Sequence, residues 1–257
     1  EEHVDRLFNS LNYLDISINQ SKTEMIDISN KVLDLNLPLI GKKEDYWVGQ
    51  RISRGVDLVG GEQWDLAGGP TVIVECAPLP LRPRASLYES GIKVWTPSVR
   101  RTPFQSMSPR AKTHNYINLI LGDNEVKHID KDAWAVLLDI NGNLTEGMGS
   151  NIFTINNGIL YTPKSQAVLG GISRETVLDL AKSLDINVIE KDIEVFEAIN
   201  SDEIFLTSTS LCICPVRSFN GKKIGDQVYG PITKKLIEAY KKFVSFDFID
   251  QYLIHLD

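Results

Sequence analysis

The segment from residue 143 to residue 177 reads NLTEGMGSNIFTINNGILYTPKSQAVLGGISRETV, and its residue types and spacing could support chemistry. A carboxylate, Glu146, stands among glycines between two apolar, strand-like runs. Further on, Gly170 and Gly171 come directly before a helix start, where unpaired amides and the helix dipole favour an anion. Two glycines before a helix are more often an ordinary turn, so this feature alone indicates phosphate binding only weakly.

A second polar turn, TSTSLC at residues 207–212, follows another strand-like run and offers hydroxyl groups and amides. Such a turn could equally be the ordinary exit of a strand into a loop. Taken together, however, two turns that suit an anion indicate a phosphorylated cofactor, without saying which one.

The composition excludes several classes of function. Of the 257 residues, 42% are hydrophobic and 24% are charged, which is typical of a globular chain and not of a disordered one. The formal charge of −7 argues against a nucleic-acid surface, and we interpret the short basic clusters RPRAS and VRRTP as solvated loops. No apolar run reaches the ~18 residues that a membrane-spanning helix needs, so no membrane partner is expected.

The three cysteines indicate a reducing compartment. Cys76, Cys212 and Cys214 form no CxxC pair, and an odd number suits a chain without disulfides. Cys212 and Cys214 alternate along one face of a strand, so we interpret them as small apolar side chains and expect no metal site. The chain begins in EEHVDRLF without a signal-like segment, and the predicted location is the cytoplasm.

Hydrophobic periodicity predicts the elements that must position these residues. Helical spacing is found in EEHVDRLFNSLNYLDI, KTEMIDISNKVLDLN, THNYINLILGDNEVKHI, SRETVLDLAKSLDI and GPITKKLIEAYKKFV. Strand-like runs are YWVGQRISRG, PTVIVECAPL, GIKVWTP and DEIFLTSTS, and Asn-Gly turns predict hairpins in AWAVLLDINGNLTEG and NIFTINNGILYTP. Ser173 is a plausible N-cap, and Pro231 lies in a first helical turn. This mixture predicts an α+β or mixed α/β fold rather than a doubly wound sheet.

A proline-rich stretch predicts the boundary between two domains. Pro78, Pro80 and Pro83 lack amide donors and should lie outside any sheet. The predicted organisation is therefore a small α+β domain, a connector and a larger domain, at residues 1–79, 80–86 and 87–257.

The long segment resembles the signature of the class IV pyridoxal-phosphate aminotransferases, the fold-type IV group. That group includes branched-chain and D-amino acid aminotransferases, R-selective amine transaminases and aminodeoxychorismate lyase. The matching positions are Glu146, Asn151, Ile152, Phe153, Leu160, Tyr161, Thr162, Leu169, Gly171, Ile172 and Arg174. One position departs from the pattern, since Met148 stands where the family usually has a small residue. The resemblance extends along nearly the whole chain.

The resemblance implies a catalytic pair in a pyridoxal 5′-phosphate site. Lys112, in SPRAKTHNYINLIL, would hold the cofactor covalently and move the substrate's α-proton. Glu146 would keep the pyridine nitrogen protonated, so that the ring accepts electrons, and Tyr116 would approach the cofactor. Outside this context Lys112 would be a solvated helix-end lysine, Glu146 an exposed turn carboxylate and Tyr116 a core residue.

The resemblance also implies which groups bind phosphate and substrate. The cofactor phosphate would be held by Arg6, Ile172, Ser173 and Thr209. Amides near the substrate carboxylate would come from Ser210 and Leu211. Arg51 and Arg54 are candidates for carboxylate recognition, although structural ion pairs are equally expected of them. Arg6 could instead pair with Glu2 on the surface of its helix.

The implied fold is the two-domain fold-type IV fold, with the cofactor between the domains and a homodimer as the usual assembly. Family members carry a strand-rich segment before the EEHVDRL helix, and this chain lacks it, so the N-terminal domain is expected to be incomplete. The implied activity is transfer of an amino group between an amino acid or amine and a 2-oxo acid. Two alternatives stay open: lyase chemistry of the aminodeoxychorismate lyase type, and a non-catalytic relative, which the presence of Lys112 and Glu146 disfavours.

The substrate is left open between branched-chain-like and D-amino-acid-like or R-amine-like specificity. The stretch VDLVGGEQWDLAGG lies where R-selective members carry a mobile carboxylate-binding arginine. Gly60 and its neighbours occupy that place, which disfavours R-selective activity without establishing another.

Overall fold

The computed structural model describes residues 1–56 and 69–256. The chain divides into two compact units, Glu1–Pro80 and Leu81–Asp257. The stretch around Gly60 lies outside the described residues, so the expectation for that loop stays a prediction. Within the described ranges, no helix is long and apolar enough to cross a membrane.

In its described residues, the first unit contains two helices and two paired strands. Its elements are α1 (Glu2–Tyr13), α2 (Lys22–Asn36), a short 3-10 turn (Leu37–Leu39), β1 (Tyr46–Ser53) and β2 (Thr71–Pro78). Helix α2 begins with a capping box, because Ser21 and Glu24 each accept a hydrogen bond from the other's amide. The structure confirms both predicted helices and both predicted strands of this region.

One expectation for this unit is wrong. Pro78 ends β2 opposite Tyr46 instead of lying outside the sheet. Among the described residues this sheet has two strands, so both are edge strands there. The missing amide of a proline is tolerated at the end of an edge strand.

The second unit is built on a mixed sheet of nine strands. They are β3 (Ile92–Trp95), β4 (Ala133–Leu138), β5 (Leu144–Gly147), β6 (Ser150–Asn156), β7 (Ile159–Pro163), β8 (Val188–Lys191), β9 (Glu203–Ser208), β10 (Cys212–Phe219) and β11 (Lys222–Lys223). Because β9 pairs with both β6 and β10, the strands β3, β4, β5, β6, β9 and β10 form a closed ring. Closure pairs both edges of each strand in the ring and gives the site a rigid support.

The helices of this unit are α3 (Leu81–Ser90), α4 (Ile117–Ile129), α5 (Ile172–Ser183), α6 (Val195–Ile199), α7 (Pro231–Val244) and α8 (Phe248–Leu253). Helix α4 packs closely on β4, because a Cβ at Gly122 would lie only 2.9 Å from Leu137 Cδ1. The close contact fixes the start of α4, and the segment that carries Lys112 leads directly into it. The helices predicted around α4, α5 and α7 are confirmed, although α4 begins at Ile117 rather than Thr113.

Local turn chemistry sets the hairpin between β6 and β7. Asn157 and Gly158 both have positive φ, at 51° and 77°, which is the backbone of a type I′ turn. The Asn-Gly pair tolerates this conformation, so the predicted hairpin is confirmed.

Two predictions at helix starts differ from the structure. Residues 81–86, expected to belong to a connector, form the first turns of α3, where Pro83 loses no intrahelical hydrogen bond. Ser173 is not the N-cap of α5, because the helix begins at Ile172 and the Gly171 carbonyl accepts from the Glu175 amide at 3.0 Å. The Ser173 hydroxyl instead accepts from the Tyr240 hydroxyl at 3.2 Å.

Candidate functional site

A row of polar side chains crosses three neighbouring strands of the ring. Glu146 on β5 is paired with Asn151 on β6, and Asn151 is paired with Thr207 on β9. Directly paired residues point to the same face of a sheet, so the three side chains lie side by side. All three are buried. Among the described residues, the Thr207 hydroxyl has no hydrogen-bond partner, an unusual state for a buried polar group that fits a site built for a polar ligand.

Glu146 is held at both carboxylate oxygens. Arg101 Nε donates to Oε1 at 3.0 Å, and the Leu169 amide donates to Oε2 at 2.9 Å. Glu146 is only 5% exposed, which contradicts its reading as an exposed turn carboxylate. Burial raises the pKa of Glu146, while the Arg101 guanidinium, the Leu169 amide and the charge of Lys112 act in the opposite direction. The result is a fixed carboxylate in a dry setting, with a cation in contact.

Arg101 was missed by the sequence reasoning. Its cluster, VRRTP, is wrongly interpreted as a solvated loop, since Arg101 is 9% exposed and ion-paired with Glu146. The Arg101 amide donates to the Leu138 carbonyl at 2.8 Å, which extends the chain beside β4 and turns the guanidinium towards β5. Only this long-range pairing shows the role of the residue. Proline at position 103 was the one local hint that the segment is not an ordinary flexible loop.

The start of α5 is tied to the polar row. Asn151 Nδ2 donates to the Leu169 carbonyl at 3.0 Å. Gly171 is the N-cap, and a Cβ at that position would lie 2.2 Å from Asn151 Oδ1. The first amides of a helix lack partners within the helix and favour an anion. Ile172 and Ser173 are the first two residues of α5, so their amides are among those without a partner inside the helix.

The second polar turn joins β9 to β10 at residues 209–211. Thr209 is exposed in it. Ser210 Oγ accepts from Arg84 Nη1 at 2.9 Å, and the Leu211 amide donates to Ser208 Oγ at 3.1 Å. The Ser210 hydroxyl and the Leu211 amide therefore already have protein partners.

Lys112 and Tyr116 form a pair just before α4. Lys112 Nζ donates to the Tyr116 hydroxyl at 3.0 Å. The lysine is exposed, and its charge is close enough to Glu146 to act on the pKa of that carboxyl. The Tyr116 ring is partly buried and packs on the apolar cluster under α4, so Tyr116 has a core-facing ring and a hydroxyl directed at Lys112.

The remaining candidate arginines belong to the first unit. Arg6 Nη2 lies 3.4 Å from His3 Nδ1. Arg51 is paired with Glu75, the structural ion pair that was its alternative interpretation. Arg54 donates to the Leu14 carbonyl. Their proposed roles towards phosphate or substrate stay predictions.

No group of three or more metal-ligating side chains occurs within residues 1–56 and 69–256. Burial raises the pKa of the Cys212 thiol to about 12 and that of Cys214 still further. Both thiols therefore stay protonated at neutral pH and lack the thiolate that binds metals or acts as a nucleophile.

Comparison with known proteins found a matching family and similar relatives. The model of the family described as amino-transferase class IV matches residues 1–219. A putative branched-chain-amino-acid aminotransferase of Methanocaldococcus jannaschii is 37% identical over 242 residues, which span 94% of this chain and 80% of that protein.

Two solved structures are similar along most of the chain. The Escherichia coli branched-chain amino acid aminotransferase has a TM-score of 0.80 at 28% identity, over 95% of this chain and 78% of that one. The enzyme from Thermobaculum terrenum in its PLP form has a TM-score of 0.80 at 25% identity, over 98% and 80% of the two chains.

Proposed function

We propose that this chain, which belongs to the class IV aminotransferase family, transfers amino groups between branched-chain amino acids and 2-oxo acids. It has the fold of fold-type IV aminotransferases and is a pyridoxal-phosphate-dependent transaminase. The sequence-based predictions of family, fold, activity and cofactor are thereby confirmed. Relatives named for branched-chain amino acids support the narrower substrate class.

The residues of the second unit fit the cofactor in the chemistry of their donors. Glu146 is a fixed, buried carboxylate suited to a protonated ring nitrogen. The amides at Ile172 and Ser173 and the exposed Thr209 hydroxyl suit a phosphate. Arg6 is proposed to add a charge-assisted contact to the same phosphate. When bound, the cofactor supplies an electron-accepting ring for removal of the substrate's α-proton.

The observation that carries this assignment is the buried Glu146 carboxylate, which Arg101 and the Leu169 amide hold at both oxygens. Lys112 is proposed to hold the cofactor and then to move the α-proton. The Tyr116 hydroxyl, 3.0 Å from Lys112 Nζ, orients the amine. The β9–β10 turn is proposed to hold the substrate carboxylate, with Ser210 and Leu211 contributing backbone groups and Arg54 as a further candidate. For Leu211 this requires that its amide be shared with Ser208 Oγ.

A substrate panel tests the proposed specificity. We expect leucine, isoleucine and valine with 2-oxoglutarate to give kcat/KM values at least about tenfold above those of D-amino acids and R-amines. A difference of about 1.4 kcal/mol in transition-state binding suffices for this ratio. Initial rates of 2-oxo acid formation measure it. Preferred use of a D-amino acid or an R-amine would overturn the proposal of a branched-chain substrate.

Half-reactions of the bound cofactor distinguish amino transfer from the alternative lyase activity. We expect an amino donor alone to convert the bound cofactor to its amine form in stoichiometric amount, and 2-oxoglutarate to reverse the change. Absorbance spectra follow both steps. Formation of pyruvate from aminodeoxychorismate, with neither half-reaction over the donor panel, would support the lyase instead.

The chain offers a matched pair of glycines that tests the phosphate subsite. In Gly171→Ala the new Cβ would meet Asn151 Oδ1 at 2.2 Å, whereas a Cβ at Gly170 meets nothing within 4 Å. We therefore expect Gly171→Ala to raise the Kd for pyridoxal phosphate by about tenfold or more, since overpacking forces the neighbours to shift. Gly170→Ala should change it by less than about twofold. Equal Kd values for the two variants, measured by cofactor titration, would remove the helix start from the phosphate site.

The assembly and location are also proposals. We propose a homodimer in the cytoplasm, with an amino acid and a 2-oxo acid as its small-molecule partners, in line with the family resemblance and the low cysteine content. Light scattering during size-exclusion chromatography gives the mass that decides between monomer and dimer.

A further inference from the structure

An aromatic cluster lies behind the β9–β10 turn. It consists of Tyr88 on α3, Tyr240 on α7, and Phe248 and Tyr252 on α8. The Tyr88 and Tyr252 rings stack with centroids 4.7 Å apart, and Phe248 makes edge contacts with Tyr88 at 6.4 Å and with Tyr240 at 5.6 Å. All four residues are at most 6% exposed. The cluster therefore joins α3 to α7 and α8, which follow it more than 140 residues later in the chain.

Two hydroxyl groups of this cluster donate hydrogen bonds to the β9–β10 turn. Tyr88 donates to the Leu211 carbonyl at 2.5 Å, and Tyr252 donates to the Ser210 carbonyl at 2.7 Å. Arg84, one helical turn before Tyr88, donates to Ser210 Oγ at 2.9 Å. Successive residues of the turn are thus held by side chains from two helices, in addition to the hydrogen bonds of the β9–β10 hairpin.

The third hydroxyl of the cluster reaches the start of α5, the other element proposed to bind the phosphate. Tyr240 donates to Ser173 Oγ at the start of α5 at 3.2 Å. The aromatic cluster consequently contacts both the turn that presents Thr209 and the helix start that would bind the same phosphate. These contacts leave Thr209 itself exposed.

The tyrosines are permanent donors. Burial raises the pKa of Tyr88 well above its ordinary value and raises the pKa of Tyr252 to about 12. Both hydroxyls therefore keep their protons at every pH at which the enzyme is assayed. Each one donates to a backbone carbonyl of the turn, and loss of a donor to such a carbonyl costs free energy.

We propose that Tyr88 and Tyr252 are positioning residues that hold the β9–β10 turn in the conformation that binds the cofactor phosphate and the substrate carboxylate. The inference rests on the proposed function of Thr209, Ser210 and Leu211. It assigns the C-terminal helix α8 a part in anion affinity, although α8 itself supplies no group to the ligand. Arg84 assists through its hydrogen bond to the Ser210 hydroxyl.

Three Tyr→Phe variants test the proposal in the full chain. Tyr88→Phe and Tyr252→Phe each remove one hydroxyl that ends on the turn. Tyr229→Phe is the matched control, because its hydroxyl donates to the backbone carbonyl of Tyr88 and not to the turn. All three remove a largely buried hydroxyl that is bonded to a backbone carbonyl, and all three keep the ring.

We expect both turn variants to raise the Kd for pyridoxal phosphate and the KM for 2-oxoglutarate by about tenfold, with kcat changed by less than about threefold. This pattern follows because a loosened turn weakens ground-state and transition-state binding alike. Tyr229→Phe should leave both constants within about twofold of wild type while lowering Tm. Turn variants indistinguishable from Tyr229→Phe in both constants would overturn the proposal.

Hydrogen exchange of the cofactor-free protein gives a readout that is independent of activity. We expect the peptide covering residues 208–212 to exchange about tenfold faster in the two turn variants than in wild type or Tyr229→Phe. Should Tyr88→Phe fail to fold, Tyr252→Phe decides alone, because its hydroxyl reaches the turn independently. A wild type that transaminates none of the panel would refute the proposed substrates, whereas unchanged exchange and constants in the variants of an active enzyme would refute the positioning role.

Discussion

Replacement of Lys112 by alanine is expected to lower kcat by about 10⁴-fold or more, the upper end of what one positioned acid–base group contributes. The loss of the covalent anchor adds to that of the proton carrier. Lys112→Arg should be almost as inactive, because a guanidinium keeps the charge beside Tyr116 but stays protonated at every accessible pH. Steady-state rates and single-turnover spectra of the loaded variants measure the effect.

The control for this prediction lies on the helix that follows. Lys127 on α4 forms an i,i+4 ion pair with Asp123 at 3.1 Å on the surface. Such a pair is worth about 0.3–0.5 kcal/mol. Lys127→Ala should therefore keep wild-type kcat and lose only a little stability.

Borohydride reduction locates the anchor directly. The loaded wild-type protein should lose its yellow colour and carry the cofactor on the peptide that contains Lys112. Label on any other lysine, or a Lys112→Ala variant that still turns over near the wild-type rate, would remove Lys112 from the catalytic role.

Much of the fold was predictable because local chemistry decides it. The positive φ values of Asn157 and Gly158 follow from the Asn-Gly pair, and Pro231 stands at the first position of α7 as the sequence predicts. The closed ring could not be predicted in this way. The pairing of β9 with both β6 and β10 joins residues far apart in sequence, and no local pattern encodes which strands meet.

The candidate site shows the same division. Glu146 and the start of α5 stand out from residue type and spacing, Lys112 only through the family resemblance, and all three belong to the second unit. Arg101 was not found, because a basic cluster has the same sequence pattern whether it is solvated or buried. The tyrosines behind the turn were not found, because an apolar helix face has the same pattern whether or not it supports a binding site. The N-cap of α5 was misplaced by two residues, since Ser173 has the residue type of a cap but its hydroxyl is bonded to Tyr240.

The second prediction with a large expected effect concerns the Arg101–Glu146 ion pair. Glu146→Gln should still bind the cofactor but lose turnover by about 10²-fold or more, because a neutral amide does not keep the ring nitrogen protonated. Arg101→Met leaves the carboxylate buried without its cation. Breaking a buried ion pair in this way typically costs about 3–5 kcal/mol, unless the remaining group takes up a proton.

The pH dependence then follows from the direction of the shift. The pKa of Glu146 is already raised by burial above its ordinary value of 4.5, and Arg101 opposes that shift. Without Arg101 the pKa should rise further, so the acid limb of the kcat profile should move to higher pH, with partial recovery of activity in alkaline buffer. Because the folded state holds the proton more tightly than the unfolded state, the contribution of Glu146 to stability is full below pH 4.5 and lost as pH rises through the folded pKa. The Tm of Arg101→Met should therefore drop further below the wild-type Tm as pH rises from 4.5 through the folded-state pKa of Glu146.

The double variant Arg101→Met/Glu146→Gln separates this electrostatic role from simple packing. It lacks the titrating carboxyl, so the difference in Tm from wild type should no longer grow with pH above 4.5, and part of the stability lost in Arg101→Met should return. Its turnover should match that of Glu146→Gln alone, since Arg101 acts on the reaction only through Glu146. An acid limb that stays in place in Arg101→Met, or kinetic losses that add in the double variant, would show that Arg101 does not act by keeping Glu146 ionised.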